Sequence, residues 1–439
     1  MEIKRDILES LRAWKVSPRR KPLVLQGARQ VGKSWALKKF GEECFADVAY
    51  FNFDTMPALK EDFKRTKHPA EIIKILQMTI GKPILPESTL VILDEIQECN
   101  DALNSLKYFC EEMREYAVVC AGSLLGVALN RSGASFPVGK VDFLWLGSLS
   151  FGEYLRALDA PLYASYLLVD GTMPVPEDLH LRLLESYKVF LALGGMPEVV
   201  STYAENGSWQ EVQKLQDTLL KSYTLDFAKH IHNKDIPRVY QVWNNLQDQL
   251  AREDRKFRYA DIQRGARARE YESAIEWLRL AGLVNKVCCV ETPRLPLSAY
   301  QKNGSFKLYL NDTGLLCRKF NLLPNTVIQG SRLFVEFKGI LAENYILQSL
   351  VRQFGDHHYY WTSGNTAEVE FLLQMDNRVI PIEVKSDHNI RSKSLSVYRS
   401  RYMPHLSIRF STLNLHRDGD LLSIPLYLAD KLEEMIIAR

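Results

Sequence analysis

The 439-residue sequence predicts an α/β fold, with an N-terminal parallel sheet and a second sheet near the C-terminal end. The first observation is an apolar run, Leu23–Leu25, that leads directly into a glycine-rich octad at 27–34. The second is a series of short apolar runs that end in small or acidic residues, as buried strands do where a parallel sheet meets its ligand. The third is a pair of alternating segments within 367–386, which predict half-buried strands.

The octad reads Gly-Ala-Arg-Gln-Val-Gly-Lys-Ser and precedes a helix-forming segment, Trp35 to Phe40. A strand, a glycine-rich loop and a helix in this order predict a P-loop that binds a nucleoside triphosphate, with ATP and Mg²⁺ as the cofactors. We expect Lys33 to reach the β and γ phosphates and Ser34 to bind Mg²⁺. The predicted nucleotide-binding residues are Gly27, Ala28, Arg29, Gln30, Val31, Gly32, Lys33 and Ser34.

A second apolar run, Leu90–Leu93, is followed at once by Asp94 and Glu95. An aspartate at the end of a buried strand holds the water shell of Mg²⁺ in P-loop ATPases. The adjacent Glu95 can orient and deprotonate the attacking water. The acid pair therefore predicts ATP hydrolysis, with Asp94 as a metal ligand and Glu95 as the general base.

Three further apolar runs, at 49–53, 118–121 and 141–146, complete the predicted sheet. Ser123 follows the second of them, and the sequence allows two roles for it. At the carboxyl end of its strand it can sense the γ-phosphate or the attacking water. It can equally cap a helix at 124–129.

Composition favours a soluble, cytoplasmic protein. Hydrophobic residues make up 46% and charged residues 25%, and the net charge is only +3, so a nucleic-acid surface must be a local patch. The seven cysteines form no Cys-x-x-Cys pair, which argues against a zinc site or a disulfide framework. The N-terminus has no signal-peptide core, and the longest apolar stretch, Val118–Leu129, is too short to span a membrane. Composition leaves oligomer formation open.

Five short motifs occur one after another along the chain and together resemble a known family. They are the octad, Leu-Asp-Glu-Ile-Gln at 93–97, Ala-Gly-Ser at 121–123, Ser-Phe-Gly-Glu-Tyr-Leu at 150–155 and Gly-Gly-Met-Pro-Glu at 194–198. The chain resembles the bacterial and archaeal AAA-type ATPases that carry a DUF4143 region. The resemblance implies an AAA+ sheet in which the strand at 50–53 lies beyond the Asp94 strand. It also implies a helical lid whose Gly-Gly-Met-Pro segment packs near the nucleotide.

The family commonly has a Gly-Arg pair shortly before the strand at 141. This chain departs from that pattern, because it has Gly139-Lys140 there. A lysine lacks the bidentate fork of an arginine finger. Arg131 and Arg156 are candidates to compensate, and the sequence assigns no finger.

The segment 238–325 predicts a winged helix, with three helices followed by two strands. Basic residues outnumber acidic ones around its second and third helices, which indicates a modest DNA-binding surface or, alternatively, the solvated face of a protein-interaction domain. The basic residues are Arg252, Arg255, Lys256, Arg258, Arg264, Arg267 and Arg269.

The last segment, 326–439, carries a pattern similar to PD-(D/E)XK nucleases. Glu383 and Lys385 lie two apart on one predicted strand, and Glu370 lies on the preceding strand. Glu343 lies on a predicted upstream helix. Carboxylates and a lysine in this arrangement can hold Mg²⁺ and activate a water, so we predict Glu343, Glu370 and Glu383 as metal ligands and Glu383 and Lys385 as catalytic. The usual pattern has Asp where this chain has Glu370.

The sequence thus predicts four domains: an AAA+ P-loop ATPase core at 1–155, a helical lid at 156–237, a winged helix at 238–325 and a restriction-endonuclease-like α/β domain at 326–439. Two functional hypotheses follow. In the first, ATP turnover drives a task on nucleic acid, with DNA contacted by the winged helix and the C-terminal domain, and with Mg²⁺-dependent cleavage. In the second, the chain is a signalling or scaffold ATPase whose later domains only bind partners.

Overall fold

The computed structural model describes residues 1–123, 125, 139–231, 235–330, 335–364, 367–386 and 393–437. The chain forms two compact units. The N-terminal unit comprises Arg5–Gly147 and Leu280–Gly282, and the C-terminal unit comprises the remaining residues. Within the described ranges, no helix has both the length and the apolar character needed to cross a membrane.

The N-terminal unit alternates strands and helices along the chain. Its elements are α1 (Ile7–Val16), β1 (Leu23–Gln26), α2 (Lys33–Cys44), β2 (Asp47–Asn52), α3 (Ala58–Arg65), α4 (Pro69–Ile80), β3 (Thr89–Asp94), α5 (Asn100–Glu112), β4 (Ala117–Ala121) and β5 (Asp142–Trp145).

The five strands form one parallel sheet in the order β2-β3-β4-β1-β5. The predicted position of β2 beyond β3 is confirmed, and Asn52 at the end of β2 lies beside Asp94 in register. All six residues of β3 are buried, as expected of a central strand covered on both faces. Because every strand runs in the same direction, the segments that follow β1, β3 and β4 meet at one edge of the sheet.

The C-terminal unit begins with helices that fill the predicted lid and winged-helix segments. They are α6 (Phe151–Leu158), α7 (Ala160–Leu167), α8 (Glu177–Leu193), α9 (Pro197–Asn206), α10 (Trp209–His230), α11 (Ile236–Leu250), α12 (Tyr259–Ile262) and α13 (Ala268–Leu280).

The rest of this unit combines strands with further helices. The elements are β6 (Val284–Val290), β7 (Gln301–Leu310), α14 (Thr313–Lys319), α15 (Pro324–Gln329), α16 (Val335–Phe354), β8 (His358–Thr362), β9 (Glu368–Met375), β10 (Arg378–Val384), α17 (Lys393–Tyr402), β11 (Ser407–Ser411), β12 (His416–Asp418), β13 (Leu421–Pro425) and α18 (Leu432–Ile437).

The eight strands form a mixed sheet in the order β12-β13-β11-β10-β9-β8-β6-β7. The predicted α/β fold class is therefore confirmed, with a parallel sheet followed by a mixed one. The elements of the predicted winged helix occur in the expected order, but its two strands continue the large sheet through a parallel pairing of β6 with β8. A domain boundary at 325 would cut this sheet between the paired strands β6 and β8, and the four-domain division stays a prediction.

The Gly-Gly-Met-Pro segment has a structural partner that the sequence did not indicate. The Asp312 carboxylate accepts hydrogen bonds from the backbone N–H of Gly195 at 2.7 Å and of Leu315 at 3.0 Å. A Cβ atom on Gly194 would lie 2.2 Å from Asp312 Oδ1, and one on Gly314 would lie 2.3 Å from the carbonyl oxygen of Leu193. The segments at 194–195 and 312–314 therefore pack closely against each other. They can do so only because Gly194 and Gly314 have no side chains.

Candidate functional site

The octad forms a tight loop between β1 and α2. Three of its residues have left-handed or otherwise positive φ angles: Gly27 at 152°, Gln30 at 64° and Gly32 at 94°. A Cβ atom on Gly27 would lie 2.1 Å from the carbonyl oxygen of Leu146, so only glycine fits there. The loop leads into the N-terminus of α2, whose first N–H groups and dipole favour an anion. The local geometry is that of a phosphate-binding loop.

Lys33 is the first residue of α2 and only 7% exposed. Its ammonium donates to the carbonyl oxygens of Gly27 at 3.0 Å and Ala28 at 2.7 Å. Burial lowers the pKa of Lys33 to about 8, although the nearby carboxylates of Glu95 and Asp94 oppose this effect. The lysine therefore lies at the loop, as predicted, and is electrostatically coupled to the acid pair.

Asp94 is 3% exposed, and both of its carboxylate oxygens accept hydrogen bonds. Oδ2 accepts from the Tyr50 hydroxyl at 2.6 Å, and Oδ1 accepts from the backbone N–H of Glu95 at 3.0 Å. Burial and the bond to Asp94 raise the pKa of Tyr50 to about 12. Tyr50 was not predicted from the sequence, where its only signal was its position two residues before the end of a strand adjacent to β3.

Glu95 adopts a left-handed conformation with φ of 53°. The Gln97 amide donates from Nε2 to Glu95 Oε2 at 2.5 Å, across a short 3₁₀ turn at Ile96–Glu98. Gln97 is a second residue that was not predicted, although it lies in the Leu-Asp-Glu-Ile-Gln motif. The catalytic carboxylate predicted at Glu95 is thus held by a neighbouring amide.

The other residues predicted to contact the nucleotide or its Mg²⁺ lie after strands of the parallel sheet. Ser34 lies in the first turn of α2, and Ser123 lies in the turn that follows β4. Lys140, at the position of the family arginine, pairs with Glu111 at 2.8 Å. Arg131 and the helix that Ser123 would cap, apart from Leu125, lie outside the described residues. Ser34 and Asp94 offer a hydroxyl and a carboxylate, which are oxygen donors that Mg²⁺ accepts.

The C-terminal unit brings the predicted acidic residues together. Glu370 lies on β9 and Glu383 on β10, and Lys385 directly follows β10. The Lys385 ammonium is 3.3 Å from Glu383 Oε1, and Arg409 Nε is 3.4 Å from Glu383 Oε2. Burial lowers the pKa of Lys385, but the carboxylates of Glu370 and Glu383 raise it by more. The predicted Glu-x-Lys pair therefore shares one face and is flanked by a second cation.

Glu343, on α16, is also bound within this cluster. Its Oε2 accepts from the Tyr309 hydroxyl at 2.8 Å, and its Oε1 pairs with the Arg255 guanidinium. Arg255 was predicted as part of a DNA-binding surface, and here it neutralises a buried carboxylate. In the part of the chain that the structure describes, no group of three His, Cys, Asp or Glu side chains is arranged to hold a metal ion. The metal and catalytic roles of Glu343, Glu370, Glu383 and Lys385 stay predictions.

The cluster makes stability depend on pH. Burial and the neighbouring Glu343 raise the pKa of Glu370 well above its ordinary value of 4.5. Above pH 4.5 the unfolded chain releases a proton that the folded protein retains, so stability falls as the pH rises towards the folded-state pKa. We expect Glu370→Gln to remove this fall, which amounts to up to about 1.4 kcal/mol per pH unit.

Urea unfolding at a series of pH values from about 5 to about 8 measures this difference. The control is Glu276→Gln, because the ion pair with Arg279 lowers the pKa of Glu276 and confines its effect to more acidic solutions. A constant difference between the wild-type and Glu370→Gln stabilities across this range would contradict the assignment.

Three family models match the chain. Residues 19–155 match an AAA domain, 184–326 match a domain of unknown function (DUF8612) and 338–427 match a domain of unknown function (DUF4143). The DUF8612 match was not predicted and covers part of the lid segment and all of the winged-helix segment. No curated protein matches the sequence.

Three solved structures to which the chain is similar share little sequence identity with it. The Aeropyrum pernix ORC2 protein in its ADPNP–ADP complexes is 14% identical, with 75% of this chain and 95% of that chain covered and a TM-score of 0.33. A point variant of Thermotoga maritima RuvB is 14% identical, with 67% and 91% covered and a TM-score of 0.31. C. elegans PCH-2 is 11% identical, with 47% and 64% covered and a TM-score of 0.27.

The AAA domain match contains the octad, the acid pair and the whole parallel sheet, and the DUF4143 match contains Glu343, Glu370, Glu383 and Lys385. The predicted resemblance is therefore confirmed: the chain carries an AAA domain at 19–155 and a DUF4143 region at 338–427.

Proposed function

We propose that the N-terminal unit binds ATP with Mg²⁺ and hydrolyses it at the edge of the sheet formed by the ends of β1, β3 and β4. The observation that carries this proposal is the electrostatic coupling of Lys33 to Asp94 and Glu95 at a loop with phosphate-binding geometry. A buried cation opposite two carboxylates suits a site that binds both a polyphosphate and a divalent ion.

Each residue has a distinct role in this proposal. Lys33 binds the β and γ phosphates, and the backbone N–H groups of the octad surround the phosphate chain. Ser34 and Asp94 would hold Mg²⁺, which neutralises charge on the phosphates. Glu95 orients the attacking water and accepts its proton, and Ser123 senses the γ-phosphate. Tyr50 supports Asp94 through the hydrogen bond to Oδ2.

Two substitutions separate binding from hydrolysis. Lys33→Ala should abolish ATP binding, because the phosphates lose their buried cation. Glu95→Gln should bind ATP with wild-type affinity and reduce kcat by at least about 100-fold, because the amide cannot accept the proton of the water. Calorimetric titration with ATP and phosphate release measure the two steps.

The control for these variants is Lys39→Ala, which removes a lysine of the same helix that pairs with Glu43 at 3.9 Å. It should leave both binding and turnover unchanged. Wild-type turnover in Glu95→Gln would remove the assigned role of Glu95.

We further propose that the C-terminal unit contacts DNA through a cluster of three exposed arginines, Arg264, Arg267 and Arg269. Four of the seven predicted basic residues face acidic partners: Arg252 pairs with Asp261, Arg255 with Glu343, Lys256 with Glu368 and Arg258 with Asp254. The three-arginine cluster is exposed between α12 and the first turn of α13. Exposed guanidinium groups contribute to DNA affinity by releasing counterions.

Replacing all three arginines of the cluster with alanine should weaken DNA binding uniformly across sequences. The slope of log affinity against log salt should fall by about 1 for each phosphate that the variant no longer neutralises. Fluorescence anisotropy with labelled duplex at several salt concentrations measures the slope. The control is Arg258→Ala, whose guanidinium is 2.6 Å from Asp254, and it should leave the slope unchanged. An unchanged slope in the triple variant would favour a protein partner for this surface.

The second candidate function is Mg²⁺-dependent phosphodiester cleavage at the acidic cluster. The proximity of Glu370 on β9, Glu383 on β10 and Lys385 just after β10 favours it, because these residue types support metal-assisted hydrolysis. The pairing of Glu343 with Arg255 favours the alternative in which this region only binds partners, because that carboxylate already faces a cation.

A cleavage assay with labelled DNA and RNA distinguishes these alternatives. If the cluster is a nuclease site, the wild type cleaves only with Mg²⁺, and Glu383→Gln reduces the rate by at least about 100-fold. Glu276→Gln, outside the cluster and paired with Arg279, serves as the control. Failure to cleave any substrate, with ATP turnover intact, would eliminate the nuclease function.

A further inference from the structure

The 3₁₀ turn that follows β3 places an amide beside the proposed general base. β3 ends at Asp94, Glu95 turns the chain through a positive φ of 53°, and the N–H of Glu98 bonds to the carbonyl oxygen of Glu95 at 3.0 Å. A non-glycine residue in this conformation costs free energy and persists where surrounding contacts enforce it. The turn therefore holds the Glu95 backbone in one conformation.

The Gln97 side chain also restrains the Glu95 carboxylate. Its Nε2 atom donates to Glu95 Oε2 at 2.5 Å. A bond to a charged acceptor is stronger than one between neutral groups. One carboxylate oxygen is thereby occupied, which restricts the orientation of the group that must meet the attacking water.

The opposite side of the same amide lies against Gly122, at the carboxyl end of β4. A Cβ atom on Gly122 would lie 2.3 Å from Gln97 Oε1 and 2.6 Å from Leu125 Cδ1. The Gly122 position therefore has room for the amide only because it lacks a side chain. Gly122 belongs to the Ala-Gly-Ser motif, so this contact joins two motifs that lie on adjacent strands.

The Gln97 amide destabilises the folded state in one respect. Gln97 Oε1 is buried and has no hydrogen-bond partner among the residues that the structure describes. A buried acceptor without a partner destabilises the folded state, and an apolar side chain of the same size would avoid this loss. The contribution that an apolar side chain could not make is the hydrogen bond that Nε2 donates to Glu95.

We propose that Gln97, seated against Gly122, is a positioning residue that orients the Glu95 carboxylate for attack of water on the γ-phosphate. This inference rests on the proposed ATPase function. Gln97 acts through Glu95 and takes no part in binding the nucleotide. Loss of the amide should therefore reduce kcat and leave ATP affinity intact.

The test begins with three variants of the 439-residue chain. Gln97→Met keeps the side-chain length without the donor and should reduce kcat by about 10- to 100-fold, with the Kd for ATP within about twofold of wild type. Gly122→Ala should produce a similar reduction, because its methyl group displaces the flexible end of Gln97. The double variant should be no slower than the slower single variant, because both changes break the same contact.

Gln97→Glu is the isosteric variant, and its fold needs no repacking. The carboxylate that it introduces cannot donate to Glu95 Oε2 and repels that group, so kcat should fall at least as far as in Gln97→Met while ATP binding is retained. Glu98→Gln, on the same turn but paired with Lys60 at 3.5 Å, is the matched control and should keep wild-type kcat and ATP affinity.

The outcomes separate this inference from the proposed function. No wild-type turnover, or turnover that survives in Lys33→Ala, would overturn both. If turnover depends on Lys33 and Glu95, wild-type kcat in Gln97→Met overturns the inference alone. Additive losses in the double variant, or wild-type kcat in Gln97→Glu, would show that the Gln97–Gly122 contact does not act through Glu95.

Discussion

The burial of Lys33 is the constraint on which the N-terminal unit depends. An ammonium group removed from water must be matched by nearby acceptors, and here these are two loop carbonyls with the acid pair close by. The carbonyls are available only because the loop curls tightly at Gly27, which approaches the carbonyl of Leu146 too closely for any side chain. The glycine, the lysine and the acid pair are thus parts of one electrostatic arrangement.

In the C-terminal unit the buried charges are carboxylates, and they too need nearby groups that compensate their charge. Glu343 and Glu383 are almost fully buried, at 3% and 1% exposed, and each faces at least one cation. Those cations come from distant parts of the chain: Arg255 precedes α12, and Arg409 lies on β11. Removing one partner of a buried ion pair leaves the other charge uncompensated, which is strongly destabilising. The predicted winged-helix segment and helix α16 of the nuclease-like segment are therefore energetically linked through the ion pair of Arg255 with Glu343.

Much of the fold could be predicted because its signals are local. The strands at 89–94 and 117–121 are apolar runs ended by acidic or small residues, and the octad carries its own glycines and lysine. Tyr50, Gln97 and Arg255 could not be assigned in this way. Their partners depend on strand order, on a turn or on the packing of a distant helix, and neither tyrosine nor glutamine has a spacing rule that identifies such a contact. Arg255 was assigned to a surface because its charge, and not its burial, is visible in a sequence.

The P-loop, the acid pair after β3 and the succession of strands and helices were thus determined locally, by backbone freedom at glycine and by the periodicity of apolar residues. The tertiary structure alone decided which charges were paired, that β6 and β7 join the large sheet, and that Gly194 and Gly195 lie against Asp312–Gly314. These features depend on distances between residues far apart in the chain, and such distances are established only when the hydrophobic core brings the elements together.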